Sequence, residues 1–277
     1  MTGTQGAPDF DQLAGLAKSL RKDVLIMTSE AGSGHPTSSM SAVEVMTALY
    51  FGGIMRYDAS NPQKRDRDRF ILSKGHAAPI LYAVLAEAGY IQKDQLNTLR
   101  RIDSPLEGHP NMLRVPGVEA STGSLGQGLS MGLGHALNAK LDGLDYNVYV
   151  MMGDGEVQQG QVWEAAMAAA NFGVSNLIAI VDQNGYQQTA PVTSVTDPNT
   201  YAEKFRAFGW NTVDIDGHDL HATHTALVDA TNYSSGPSAI IARTKKGKGV
   251  SFLEEDFTWH GRGVPKDQLD AALEELG

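Results

Sequence analysis

The alternation between residues 127 and 243 constrains this chain most. Segments of helical spacing at 127–141, 162–172, 201–208 and 220–230 interleave with short runs rich in Val and Ile at 147–152, 177–182, 211–215 and 238–243. Short strands that are apolar at nearly every position are buried on both faces. Strands joined by helices run parallel, because the helix carries the chain back to the end it left. The expected fold class is α/β, with a mostly parallel sheet flanked by helices on both faces. Upstream, Leu13, Leu16, Ala17, Leu20, Val24 and Met27 recur at helical spacing and predict an amphipathic helix over 10–28. A glycine-rich break at 31–34 follows, then a helix over 38–51, a short strand at 70–72 and a helix over 77–88. The chain has 277 residues and shows neither an internal repeat nor a low-complexity linker, so residues 1–277 read as a single domain. Residues 244–263 are rich in Gly and charge and long for a loop, a length often kept for function.

Composition removes several classes of function. There is no cysteine, hence no disulfide, thiolate metal site or cysteine nucleophile. The net charge of −10 argues against a nucleic-acid partner, though not against a small phosphorylated ligand held by local groups. Residues 1–13 show no basic segment followed by an apolar core, so no signal peptide is expected. The strongest apolar runs, 148–152 and 177–181, are too short to span a bilayer. A soluble cytoplasmic protein is the expectation, with no membrane partner.

In open parallel sheets, ligands bind beyond the carboxyl ends of the strands. Two polar clusters fall there: Gly153-Asp154-Gly155 closes one run, and Asp182-Gln183-Asn184 closes the next, with 27 residues between Gly155 and Gln183. A carboxylate and an amide oxygen are ligands that magnesium prefers and often shares with phosphates. Flanking glycines let a diphosphate approach the backbone. Gly-Asp-Gly alone equally suits an ordinary strand end; the paired placement is what points to a ligand.

This pairing resembles the thiamine-diphosphate fingerprint, a Gly-Asp-Gly followed some thirty residues later by an Asn. Further motifs resemble those of transketolases, in family order: Ser33-Gly34-His35-Pro36-Thr37-Ser38, Leu72-Ser73-Lys74-Gly75-His76-Ala77-Ala78, Glu107-Gly108-His109-Pro110, Ser121-Thr122-Gly123-Ser124-Leu125-Gly126-Gln127-Gly128, and Trp259-His260-Gly261. The resemblance covers about residues 12–270. It implies a thiamine-diphosphate-binding fold in which 1–277 is the diphosphate-binding domain and 244–277 its C-terminal active-site loop and tail. It also implies that Asp154, Asn184 and the backbone carbonyl of Tyr186 hold Mg²⁺ or Ca²⁺. Gly155 would contact the diphosphate through its amide. Ser38, Gly123, Ser124, Leu125, His76, Lys246 and His260 would bind the cofactor, with Lys246 matching a lysine of the animal-like branch. His35, His76, His109 and His260 would face the reacting carbon as catalytic residues, a role suited to imidazoles near neutral pH.

The remaining features have simpler readings. His218, His221 and His224 suggest a metal site by spacing, but no carboxylate frame supports it, and they read as a helix start with a solvated face. His135, in a small-residue helix, reads as structural. The charged run 63–69 reads as a solvated helix end or loop. The Gly-, Ala- and Met-rich helix after Gly126 suits close packing against a neighbouring helix or protomer.

Two departures from the family pattern stand out. Gln159 occupies a position where the family usually has a glutamate, which belongs to a carboxylate network linking two active sites; Glu164 keeps a second carboxylate of that network. The match also covers only the first of three transketolase domains. That implies a split enzyme whose second subunit carries the pyrimidine-binding and C-terminal domains, in an α₂β₂ assembly. The implied activity is transfer of a two-carbon ketol unit between sugars or sugar phosphates. Alternatives are the α subunit of a 2-oxo acid dehydrogenase, a chain like deoxyxylulose-phosphate synthase, or an inactive binding module.

Overall fold

The computed structural model describes residues 8–277. The reading of residues 1–13 as free of a signal peptide lies partly outside them. Five strands form one parallel sheet in the order β1-β2-β3-β5-β4: β1 (Arg69–Leu72), β2 (Val148–Gly153), β3 (Leu177–Gln183), β4 (Asn211–Asp216) and β5 (Ser238–Arg243). The register places Gly153 of β2 beside Asp182 of β3, so the two polar strand ends adjoin.

Side chains alternate across the sheet as the pleat requires. Phe70, Leu72, Tyr149, Met151, Ile178, Ile180 and Ile240 face one core. That core is closed by α1 (Phe10–Glu30), α3 (Val43–Phe51), α4 (Ala78–Glu87), α8 (Leu220–Asn232) and α9 (Lys266–Leu276). Ile71, Val148, Val150, Met152, Ala179, Val181 and Ile241 face the other, closed by α5 (Gly128–Asp142), α6 (Gly160–Asn171) and α7 (Tyr201–Ala207). Every residue of β2 and β3 is buried, which is why both read as continuous apolar runs. The edge strand β4 exposes Asn211, Val213, Asp214 and Asp216.

Several expectations are corrected. The helix expected over 38–51 is two helices, α2 (Pro36–Met40) and α3. Pro36 suits a first helical turn because its missing N–H has no partner there. The chain breaks at Ser41, whose hydroxyl donates to Asp182 Oδ2 at 2.6 Å. The segment read as a C-terminal tail ends in α9, packed on α1 through a stripe formed by Leu269, Ala272, Leu273 and Leu276. The charged run 63–69 is not wholly solvated. Arg67 and Asp68 are buried, Arg67 and Arg69 both pair with Glu119, and Asp68 pairs with Arg56 at 2.9 Å. His218, His221 and His224 do mark a helix start, and His221 is exposed, stacked on Phe10 with ring centroids 3.5 Å apart, but the other two are not solvated: His224 Nε2 lies 3.0 Å from the Gly52 carbonyl oxygen. His218 is bonded at both ring nitrogens. The backbone carbonyl of His135 accepts from Tyr146 Oη at 2.8 Å, which ties α5 to the start of β2.

The small residues of α5 serve its contact with the sheet beneath. A Cβ on Gly132 would stand 2.4 Å from Val150 Cγ2 and 3.3 Å from Leu177 Cδ1. Val150 is rigid at χ1 and buried in a central strand, so it cannot yield cheaply. Gly132→Ala gains helix propensity of roughly 1 kcal/mol but overpacks by roughly 1–3 kcal/mol. The expected net is a lower midpoint in urea unfolding; an unchanged or higher midpoint would show slack between α5 and β2.

Candidate active site

A cleft of about 440 Å³ opens beyond the carboxyl ends of β1, β2 and β3. His35, Ser38, His76, His109, Gly123, Leu125, Asp154, Gly155, Asn184, Tyr186 and His260 all line it. Of the residues singled out from sequence, Ser124 and Lys246 do not. Ser124 faces an adjoining hollow with His109, Ser121 and Gln127. Lys246 lies behind the wall, its ammonium donating to Ser38 Oγ at 2.8 Å and standing 3.3 Å from His260 Nδ1.

The histidines arrive from separate loops. His35 caps the start of α2, His76 sits in a 3₁₀ turn after β1, and His260 follows another at Phe257–Trp259. Their ring centroids lie 5.0, 5.0 and 5.3 Å apart. His109 stands at the rim, its loop held by Tyr82 Oη, which donates to the carbonyls of Glu107 at 2.9 Å and His109 at 3.2 Å. The His109 ring lies against Gly123, where a Cβ would come within 2.8 Å of the imidazole. Burial drives these imidazoles below their ordinary range. His35 falls to about 3, with His260 adding repulsion; His260 falls to about 4, with Lys246 adding repulsion; His76 lies well below its usual value for the same reason. At neutral pH they are uncharged donors and acceptors.

Asp154 is the other anchor. Its Oδ1 accepts from Gly155 N at 2.8 Å and its Oδ2 from Gly185 N at 2.7 Å. Among the described residues no cationic side chain pairs with it. Burial, aided by the neighbouring charge of Asp182, pushes it up to about 7. Asn184 lies alongside, with Oδ1 accepting from Tyr186 N at 3.2 Å. No donor among the described residues reaches the Tyr186 carbonyl. A buried carboxylate without a counter-charge, next to an amide oxygen and a free carbonyl, fits a hard divalent cation that shares its shell with phosphate. These groups alone do not make a cage; no cluster of three His, Asp or Glu side chains suited to a metal occurs among the described residues.

Three features escaped sequence reading. Glu156, directly after Gly155, is buried and accepts from Gly126 N at 2.8 Å, Gly153 N at 3.1 Å and Ser73 Oγ, tying the Gly123 loop to the Gly-Asp-Gly turn. Gln187, Gln188 and Thr189 form part of the cleft wall. Lys74, at the floor of the cleft, pairs with the buried Asp182. Glu156 carried a signal as a carboxylate immediately following the Gly-Asp-Gly, and Lys74 and Asp182 lay within motifs, but nothing in the sequence paired them.

Residues 14–277 match the family described as transketolase, thiamine diphosphate binding domain. The chain belongs to this family. Transketolase-like protein 2 of Bos taurus is 44% identical over 275 residues, covering 98% of this chain and 43% of that protein. An apulose-4-phosphate transketolase subunit of Phocaeicola vulgatus is 39% identical over 259 residues, covering 92% of this chain and 90% of that protein. Among solved structures, the transketolase of Campylobacter jejuni superposes with a TM-score of 0.92 at 31% identity, covering 97% of this chain and 43% of that one. The chain therefore spans less than half of the longer transketolases and most of the Phocaeicola protein. The expected thiamine-diphosphate-binding α/β fold is borne out.

The histidines give the domain a pH signature. An imidazole at about 3 or 4 in the folded state and about 6.5 when unfolded takes its proton more readily in the unfolded chain. Their contribution to stability is complete above about 6.5 and declines as pH falls toward about 4. His35→Asn and His260→Asn should each lose less stability than the parent protein between pH 7 and 5, read by urea titration at both. Parallel pH slopes in parent and variants would contradict depressed imidazoles.

Proposed function

We propose that this chain is the diphosphate-binding subunit of a split, thiamine-diphosphate-dependent transketolase. Its reaction is transfer of a two-carbon ketol unit from a ketose or ketose phosphate to an aldose or aldose phosphate. The reading rests on one observation: four histidines and an uncompensated buried carboxylate, Asp154, share a single cleft at the carboxyl ends of the strands. The match to most of a protein named as a transketolase subunit supports a second polypeptide, carrying the pyrimidine-binding and C-terminal domains in an α₂β₂ assembly.

Thiamine diphosphate supplies the carbon nucleophile and the electron sink when bound. Asp154, the Asn184 amide oxygen and the Tyr186 carbonyl would hold Mg²⁺ or Ca²⁺, whose charge would offset that of the diphosphate. Gly155 offers its amide to the diphosphate, and Gly123, Ser124 and Leu125 form the loop that borders the cofactor. Ser38, His76 and His260 line the same cleft and would meet the phosphates, with Lys246 behind them, bonded to Ser38 and beside His260. Neutral imidazoles are able to accept or donate at the substrate hydroxyl without the solvation penalty of an ion. His35 and His109 therefore hold and move the proton of the hydroxyl next to the cleaved carbon–carbon bond, and His76 and His260 hydrogen-bond the oxygen on which charge develops. The histidine cluster favours this over the α chain of a 2-oxo acid dehydrogenase. Gln159 is exposed at the edge of the cleft, and none of these cofactor contacts uses it. Its amide therefore leaves cofactor binding intact while thinning any carboxylate network across an interface.

Two measurements test the reading. Asp154→Ala should abolish Mg²⁺-dependent binding of thiamine diphosphate with the circular-dichroism spectrum unchanged; calorimetry that finds the parent affinity in the variant removes the central claim. A coupled ketol-transfer assay should give negligible turnover with this chain alone and restored turnover on mixing with its cognate second subunit, with light scattering reporting a heterotetramer. Full turnover by the chain alone would refute the split enzyme.

A further inference from the structure

Lys246 poses a physical problem that its neighbours must solve. Its ammonium has no exposed surface, and burial beside Lys74 lowers it to about 8. A charge with that penalty would turn outward to water if the segment carrying it were free. The adjacent Lys245 does point outward, to Glu254 at 3.1 Å, so a modest backbone rotation could exchange the two side chains. Thr244 N is held by Gln183 O at 3.0 Å, so the link still to be fixed between β5 and Lys246 is Lys245.

His218 is placed to do so. It lies in the turn after β4, between Glu44 of α3 and the segment following β5, with its side chain 14% exposed. Its Nε2 is 2.8 Å from the backbone nitrogen of Lys245. A backbone N–H only donates, so Nε2 must carry the lone pair and the proton must sit on Nδ1. That proton points at Glu44 Oε2, 2.9 Å away, and Glu44 Oε1 is held in turn by Arg21 at 2.6 Å. The carboxylate thus selects the one tautomer that can receive the Lys245 amide. A second bond, Gly247 N to Thr37 O at 3.0 Å, fastens the far side of Lys246. Gly247 has φ 75°, and a Cβ there would meet Leu253 O at 2.2 Å, so the strap is tightly seated.

We infer that His218 is a positioning residue: held by Glu44 as its Nδ1–H tautomer, it latches the Lys245 amide and so directs Lys246 inward to Ser38 and His260. It touches neither cofactor nor substrate and acts only through the strap. This rests on the proposed function for what Lys246 meets, but the latch itself is a property of the chain.

Three readouts on the full-length protein test it. Ring ¹⁵N shifts of His218 should report the Nδ1–H form. Hydrogen exchange at the Lys245–Gly247 amides should be slow in the parent and fast in His218→Phe, which keeps an aromatic ring but offers no acceptor. In the complex with the second subunit, His218→Phe should raise the thiamine diphosphate concentration for half-maximal activity by roughly tenfold, the worth of a buried hydrogen bond left unmade. The turnover number at saturating cofactor should stay unchanged. His218→Gln, whose amide carries both a donor and an acceptor, should recover exchange protection and cofactor affinity. A proton on Nε2 in the parent overturns the latch and is read without any substitution, even if the Phe variant does not fold. So does a folded Phe variant with parental exchange and cofactor dependence, or a Gln variant no better than Phe. If the parent protein binds no thiamine diphosphate, the functional reading fails, while tautomer and exchange still decide the latch.

Discussion

Asp182 ends β3 as a carboxylate with no exposed surface, and four segments of the chain converge on it. Lys74, from the loop after β1, pairs with it; Ser41, from the break between α2 and α3, donates at 2.6 Å; Asn184 donates at 3.1 Å; Thr244, just beyond β5, donates as well. These bonds and the pair hold Asp182 below its ordinary value although burial opposes its charge. Lys74 also donates to the Ser38 carbonyl at 2.7 Å, which carries α2, and with it His35, to the sheet. Deleting one partner of a buried pair leaves the other unpaired, typically at a cost of about 3–5 kcal/mol. The loops that form the cleft thus share one electrostatic anchor, so their relative positions are not independent of one another.

Asp154, on the neighbouring strand end, is the opposite case. Both carboxylates are buried and Gly153 registers against Asp182, yet only Asp182 has a cation. The charge of Asp182 raises Asp154 further, so satisfying one carboxylate leaves the other more in need of a counter-ion. The difference separates a residue that organises the protein from one able to organise a ligand. A sequence shows only two acidic residues at two strand ends.

That limit explains what was legible. The sheet could be read because strands buried on both faces leave continuous apolar runs, and β5 lies where the spacing put it. The cleft could be located because Gly-Asp-Gly and the later Asn mark adjacent strand ends, and the resemblance supplied the histidines. Contacts between residues far apart in sequence left no local trace. Nothing around Ser41 says that its hydroxyl belongs to a residue 141 positions away, so the break between α2 and α3 went unread. The histidines of 218–224 looked alike in sequence, and only tertiary packing gives them three different partners. The helix α9 is different: Leu269, Ala272, Leu273 and Leu276 recur at helical spacing, so its stripe was legible although the fold covers only Ala272 fully.

The electrostatics of the cleft also resolve an apparent conflict between an acidic protein and a polyanionic cofactor. The net charge of −10 describes the whole surface, whereas binding answers to the field inside a low-dielectric cleft. There, Lys74 is already matched by Asp182, and the histidines are neutral. Lys246 remains as a buried cation whose hydrogen-bonding neighbours, Ser38 and His260, carry no formal charge, and Asp154 as a buried anion without a pair. A diphosphate together with a dication supplies an anion toward Lys246 and a cation toward Asp154. Both deficits are relieved by the same ligand, whereas an anion alone would answer Lys246 and be repelled by Asp154. The proposed metal would thus answer to the place of these two charges, Asp154 and Lys246, in the cleft.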